Sequence, residues 1–82
     1  MDQQAIIAEI EDLARFAGVP IATVCKRAGV HPTTFSRWKL SRRNPEPMGA
    51  NLASIRKLYE ALGELQAERD RAFKARRKVI AA

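Results

Sequence analysis

The sequence contains few of the residues that most catalytic and metal sites require. Its 82 residues include one cysteine, Cys25, and one histidine, His31. A single cysteine cannot form an intramolecular disulfide or a multi-cysteine zinc site, and it fits a reducing cytosol. The basic part of the chain has no glycine-rich phosphate loop and no cluster of carboxylates. We therefore expect no enzymatic activity, no metal and no cofactor.

Long apolar runs are also absent. The N-terminal stretch "MDQQAIIAEIEDL" is acidic and lacks the basic and apolar regions of a signal peptide. The remaining apolar runs are only a few residues long, far short of a membrane-spanning helix. We expect a cytoplasmic protein with no membrane span and no export signal.

Positive charge is abundant and unevenly distributed. The chain has 15 Lys and Arg against nine Asp and Glu, a net charge of +6. Residues 1–25 carry four acidic residues and one basic residue, a net of −3, whereas residues 26–82 carry 14 basic and five acidic residues, a net of +9. Such a balance favours a polyanionic partner, either nucleic acid or an anionic membrane surface. The binding site is expected downstream of Cys25.

Apolar residues recur at helical spacing throughout, and no strand pattern is present. Helices are predicted at about 3–17, 20–28, 32–40, 51–62 and 64–79, with Gly63 as a boundary or kink before the last. This pattern predicts a compact all-α domain of four to five helices. Residues 1–63 form its main part, and residues 64–82 form a basic C-terminal helix of the same domain.

The expected core comes from the apolar stripes of these helices. In the first helix the stripe comprises Ile6, Ile10, Leu13 and Ala17, with Ile7 and Ala14 beside them. Later in the chain, Phe35, Trp38, Leu52, Ile55 and Tyr59 are expected in the core, and packing is favoured over a base contact for Leu40.

The segment from residue 20 to residue 40 has the pattern of a helix-turn-helix unit. Gly29 can adopt the left-handed conformation that ends a helix, and Pro32 can begin the next one with His31 as its cap. In the second of these helices, Phe35 and Trp38 share the inner side. The opposite side is mostly polar and is therefore free to enter a groove.

The run "IATVCKRAGVHPTTFSRWKLSRRNPEP", followed by "NLASIRKLYEALG", resembles the lambda-repressor-like (Cro-type) helix-turn-helix family. The resemblance covers about residues 5–63. It implies a bundle of four or five helices whose third helix contacts bases in the major groove, commonly as a dimer on a palindromic operator. Small members of this kind occur as phage repressors, bacterial transcriptional regulators and antitoxins. Cys25 departs from the usual alanine, and His31 departs from the usual capping serine or threonine.

Three outward-facing residues of the third helix are the candidate base contacts: Thr33, Ser36 and Arg37. A guanidinium such as that of Arg37 can donate two hydrogen bonds to the O6 and N7 atoms of guanine. The alternatives are a phosphate contact for Arg37 and ordinary solvation for the two hydroxyls.

Residues that border this helix are the candidate contacts to the DNA backbone, which position a protein without distinguishing sequence. They are Thr23, Lys26, His31, Lys39, Arg42, Arg43 and Asn44. For each one taken alone, the alternative is a polar or charged group that only contacts solvent.

The basic segment 64–82 has three open interpretations. Leu65, Ala72, Phe73, Val79 and Ile80 roughly share a side of its helix, although Arg69 and Arg76 interrupt that stripe. The segment either pairs across a dimer, runs along phosphates or remains a solvated tail.

The leading hypothesis is a sequence-specific transcriptional regulator, most simply a repressor, that binds double-stranded DNA as a homodimer. The second is an antitoxin-type module that covers a toxin or another regulatory protein and also binds DNA. RNA binding is less favoured because the sequence offers no evident exposed aromatic platform.

Overall fold

The computed structural model describes the backbone of residues 2–81 and the side chains of residues 2–74. In this range the chain forms four helices: α1 (Gln3–Ala17), α2 (Ile21–Ala28), α3 (Pro32–Trp38) and α4 (Leu52–Ala81). The predicted all-α class is confirmed. Within residues 2–81, no helix combines the length and the apolar character that a bilayer crossing needs.

Helix α1 has the bounds that the sequence predicted, because both of its ends are capped locally. The carboxylate of Asp2 accepts a hydrogen bond from the backbone N–H of Gln4 at 3.0 Å. At the other end Gly18 has a φ of 71°, the left-handed conformation that terminates helices. The buried residues of α1 are Ile7, Ile10, Ala14 and Ala17.

The prediction that Leu13 belongs to the core stripe of α1 was wrong, since its side chain is exposed. At 100° per residue, Leu13 lies about 80° from the centre of the buried face. Ile6, which lies closer to that centre, is partly buried. The face that packs is therefore rotated from the predicted one by less than the 100° between consecutive residues.

Helices α2 and α3 meet at a tight turn. Pro20 occupies the cap position of α2, so the helix begins one residue after the predicted start. Gly29 ends the helix with a φ of 76°, and the backbone N–H of Val30 donates to the carbonyl of Cys25 at 2.8 Å. The prediction that His31 caps α3 is confirmed, because its Nδ1 accepts a hydrogen bond from the N–H of Thr33 at 3.1 Å.

Helix α3 ends at Trp38, two residues before the predicted end. In a longer helix the N–H of Leu40 would bond to the carbonyl of Ser36, but it donates instead to the side-chain oxygen of Gln4 at 3.0 Å. Leu40 consequently lies in the loop with an exposed side chain, so the packing role predicted for it was wrong.

Helix α4 is continuous through Gly63, so the separate helices predicted at 51–62 and 64–79 are one helix of 30 residues. Glycine lowers helix stability but keeps its backbone N–H, so it does not interrupt the hydrogen-bond ladder as proline does. The start of α4 is capped by Asn51, whose side-chain oxygen accepts from the N–H of Ser54 at 2.7 Å.

The core forms where the first half of α4 and helix α3 both pack against α1 and α2. Its members are Ile7, Ile10, Ala14, Val24, Cys25, Val30, Phe35, Trp38, Leu58, Ala61 and Leu62. The Phe35 and Trp38 rings pack edge to face, with their centroids 6.1 Å apart. Leu52 was predicted in this core but is 60% exposed, and Ile55 is only partly buried.

Tyr59 is partly buried and links α4 to α1. Its hydroxyl donates a hydrogen bond to the Glu9 carboxylate at 3.1 Å. Burial, together with this hydrogen bond, raises the pKa of Tyr59.

The second half of α4 extends away from the core. Among the described side chains, Leu65 is the last that packs against it, and side chains 66–74 are exposed. At about 1.5 Å per residue the helix is about 45 Å long, which accounts for most of the 55 Å length of the molecule. The predicted stripe continues to Val79 and Ile80, and the side chains of these residues and of the interrupting Arg76 lie outside the described residues.

Two polar contacts hold α4 where it leaves the core. The Arg27 guanidinium bridges Glu64 and Glu68 at 3.4 and 2.8 Å. The hydrogen bond from Arg27 lowers the pKa of Glu68 and raises that of Arg27 itself. Arg69 donates to the carbonyl of Phe16 at 2.9 Å. These contacts join α4 to α2 and to the end of α1.

Candidate nucleic-acid interface

The outer face of α3 carries polar side chains that have no partner in the described part of the chain. Thr33, Ser36 and Arg37 are all exposed. With Ser41, Arg43 and Asn44 they line an open cavity of about 490 Å³. The structure thus brings the three predicted base contacts together on one surface, and it adds Ser41, which the sequence had not indicated.

The orientation of this face follows from the inner side of α3. Phe35 and Trp38 are both buried and fix the rotation of the helix about its axis. Because side chains four residues apart share a helix face, Thr33 and Arg37 must then point together into solvent.

A second depression lies at the turn between α2 and α3. It has a volume of about 520 Å³, and its lining includes Lys26, Gly29 and His31. The Nδ1 atom of His31 accepts the capping hydrogen bond from the N–H of Thr33. In the neutral ring the hydrogen is therefore on Nε2, which can donate it to an external group. Thr23 is exposed on α2 but does not line this depression.

Two arginines lie in the middle of a tight turn after α3. The backbone groups of Ser41 and Asn44 bond to each other in both directions, at 3.2 and 3.0 Å. Arg42 and Arg43 occupy the two positions between them, and both are exposed. Arg43 reaches the cavity on α3, whereas Arg42 does not line it.

Lys39 has a partner within the chain. Its Nζ lies 2.8 Å from a carboxylate oxygen of Glu11, which is on α1. The predicted phosphate contact of Lys39 would therefore have to compete with an existing ion pair.

The amide of Asn44 is also engaged internally. Its Nδ2 donates to the carbonyls of Arg37 and Lys39, at 2.8 and 3.0 Å. Since an amide nitrogen has two hydrogens, these bonds leave no side-chain donor for the phosphate contact predicted from sequence. Asn44 instead joins the end of α3 to the arginine turn.

Gln3 and Gln4 contact the same loop and were missed in the sequence. Gln4 donates to the carbonyl of Trp38 at 2.8 Å, and Gln3 donates to that carbonyl at 3.0 Å and to the carbonyl of Met48 at 2.8 Å. Glutamine in the first turn of a helix is typical of a solvated surface. No local pattern signals partners that lie 34 to 47 residues away.

The unpaired cations in this region make it the strongest candidate for anion binding. Within residues 2–74, Lys26, Arg37, Arg42 and Arg43 form no ion pair. All four are exposed and lie on α2, α3 or the turn that follows. A polyanion could therefore reach these side chains without breaking an ion pair within the described residues.

Cys25 is unsuited to nucleophilic chemistry. Its side chain has no exposed surface, and burial raises the pKa of its thiol. The reactive thiolate is thus disfavoured as well as inaccessible. Among the described residues, no three His, Cys, Asp or Glu side chains come together as a metal-ligand set.

In comparisons with known proteins, no family model, no curated protein and no solved structure matches this chain.

Proposed function

We propose that this protein is a sequence-specific regulator of transcription that binds double-stranded DNA, most simply a repressor of the lambda-repressor-like type. The observation that carries the proposal is the exposed outer face of α3. There Thr33, Ser36 and Arg37 have no partner among the described residues and stand beside unpaired cations. In this proposal the protein acts in the cytoplasm and is not an enzyme.

The recognition step follows from the size and chemistry of that face. The major groove is about 12 Å wide and admits one helix. Arg37 is expected to donate a bidentate pair to guanine, while Thr33 and Ser36 bond to neighbouring base edges or to a phosphate. The buried Phe35 and Trp38 hold these groups in place and take no direct part.

Contacts to the phosphates of the DNA backbone supply most of the affinity in this mechanism. Lys26 and His31, with its Nε2 atom, lie at the start of α3, and the arginine turn follows the end of α3. Each neutralised phosphate releases condensed counterions, so binding is expected to weaken steeply as salt rises.

A homodimer is the expected assembly. Helix α3 has seven residues and spans only a few base pairs, so a second half-site is needed for high specificity. The extended half of α4 presents Phe73, which is 63% exposed, and this helix is the proposed dimer contact. The matching operator is an inverted repeat with half-site centres about 34 Å apart.

An antitoxin-type role is the second candidate. Phe16 is 87% exposed at the end of α1, near the point where Arg69 of α4 binds its carbonyl. In this second candidate, Phe16 is the apolar residue that a protein partner would cover. A toxin or regulatory protein on this surface is compatible with DNA binding through α3.

The decisive experiment is selection of bound sequences from a random pool of double-stranded DNA at about 150 mM salt, which suppresses purely electrostatic binding. Enrichment of an inverted repeat is expected. Arg37→Ala should then weaken binding to the selected site by roughly 1–3 kcal/mol and relax the preference at one base position.

Arg56→Ala is the matched control, because Arg56 is exposed but lines a groove between α1 and α4 instead of the α3 cavity. It should leave base preference unchanged. If the pool yields no enriched motif, sequence-specific binding is refuted. Co-purification of a defined protein partner would then support the second candidate.

A further inference from the structure

The loop between α3 and α4 is tied to the first turn of α1 by two glutamine side chains. Gln4 uses both ends of its amide: Nε2 donates to the carbonyl of Trp38, and Oε1 accepts from the N–H of Leu40 at 3.0 Å. One side chain thereby binds the backbone on both sides of Lys39. The end of α3 and the start of the loop are held together at this point.

Gln3 makes the equivalent attachment further along the loop. Its Nε2 donates to the carbonyls of Trp38 and Met48, and its Oε1 accepts from the N–H of Ala50 at 2.9 Å. Gln3 therefore connects the two ends of the loop to each other as well as to α1.

The middle of the loop is fixed from α3 itself. The carbonyl of Arg37 accepts from the N–H of Met48 at 2.9 Å and from the Asn44 amide. Together with the turn between Ser41 and Asn44, these bonds define the backbone on both sides of Arg42 and Arg43. No side chain of the loop is fully buried and only Ala50 packs against the core, so these hydrogen bonds hold most of the loop in place of apolar packing.

We propose that Gln3, Gln4 and Asn44 are positioning residues for DNA binding, which hold the Arg42–Arg43 turn as a second DNA-contacting element beside α3. The inference rests on the proposed function. An untethered arginine loop would lose conformational entropy on binding, and this loss reduces affinity. In this chain the loop is ordered before DNA arrives, so the arginines contribute their contacts at lower entropic cost.

The simplest competing explanation is that the glutamines only stabilise the fold. Both explanations predict a lower melting temperature when a glutamine is replaced. They differ in the coupling to the arginines: a positioning role makes the effects of the glutamine and arginine substitutions interdependent, whereas a stability role leaves them additive once the protein is folded.

The test is a double-mutant cycle on the full chain. Gln4→Met retains the length of the side chain but removes its donor and its acceptor. Dissociation constants are measured for wild type, Gln4→Met, Arg43→Ala and the double variant on the DNA selected by the wild type, over a range of salt. Circular dichroism confirms that each variant is folded at the binding temperature.

We expect Gln4→Met to weaken DNA binding roughly 3- to 10-fold, the range for lost hydrogen bonds. It should also make the dependence of log K on log salt shallower by about 0.9 for each lost phosphate contact. In the Gln4→Met background, Arg43→Ala should have little further effect. Ala8→Met is the control, since it introduces the same side chain at an exposed position of α1 away from the loop, and it should change none of these quantities.

Amide hydrogen exchange in the free protein provides a readout that needs no DNA. Gln4→Met should accelerate exchange at Leu40, and Gln3→Met should accelerate it at Ala50, because these N–H groups bond to the two glutamine oxygens. Unchanged protection at both positions would overturn the inference.

The remaining outcomes are equally distinct. If the wild type binds DNA but Arg43→Ala has the same effect in both backgrounds, the positioning role is refuted and the proposed function stands. If the wild type binds no DNA, the proposed function and this inference fall together. Should Gln4→Met not fold, Asn44→Ala takes its place in the cycle, because Asn44 acts on the same loop without touching α1.

Discussion

The ion pair between Lys39 and Glu11 predicts that removing an acidic residue of α1 strengthens DNA binding. Lys39 can contact a phosphate fully only when it leaves Glu11, which lies 2.8 Å away. The perturbation is Glu11→Gln, which retains the size of the side chain and removes its charge. In the variant, Lys39 has no ion pair with residue 11 to break before it contacts a phosphate.

The expected magnitude follows from the exposure of the pair. The side chain of Lys39 is 49% exposed and that of Glu11 is 27% exposed. Pairs of this kind contribute about 0.2–1 kcal/mol. If DNA binding no longer has to replace the pair, affinity should rise by about 1.5- to 5-fold. The salt dependence should steepen by at most about 0.9, the value for one phosphate contact.

The assay is a fluorescence anisotropy titration of the selected DNA at several salt concentrations. Glu60→Gln is the control, because it changes the net charge equally at an exposed position of α4. Adding Lys39→Gln should abolish the gain from Glu11→Gln. Equal gains from Glu11→Gln and Glu60→Gln would show that only net charge matters, and the competition between Glu11 and phosphate would be refuted.

Three further predictions concern the fold. Gly63→Ala should raise the free energy of unfolding by about 0.5–1 kcal/mol, since the added methyl group meets nothing within 4 Å beyond the adjacent residues and the neighbouring turns of its own helix backbone. Gly29→Ala should lower the free energy of unfolding because of the φ of 76°. Opposite shifts in melting temperature are the check. Leu58→Ala should cost about 2–5 kcal/mol in urea unfolding, because Leu58 is fully buried, and a cost below 1 kcal/mol would contradict the described core. The Cys25 thiol should resist an aromatic disulfide reagent at pH 8 until the chain is unfolded. Because burial raises the pKa of this thiol, the free energy of unfolding should fall as the pH rises above the ordinary pKa of a cysteine.

The bounds of the first two helices were predictable from sequence because local chemistry sets them. Asp2 and Gly18 cap α1, and Gly29 ends α2, all through bonds to backbone groups a few residues away. The end of α3 was not predictable in this way. It depends on Gln4, which is adjacent to Leu40 only after α1 has packed against the loop.

In the candidate interface, too, some features follow from nearby residues and others depend on contacts that are distant in the sequence. The exposure of Thr33, Ser36 and Arg37 follows from helical spacing against two aromatic residues, so the sequence was sufficient to place them. The internal partners of Lys39 and Asn44 were not predictable, since charge and polarity alone do not tell a solvated group from one that bonds within the chain.

The extended half of α4 becomes helical by growing from the half that is packed in the core. A helix of about 15 residues without packing is marginal in water, because fixing the first turn costs more than its single hydrogen bond returns. Here the turns around Leu58 and Leu62 are already fixed by burial in the core. Residues beyond Leu65 extend an existing helix and need only the favourable propagation step, so the core nucleates a helix that it does not cover.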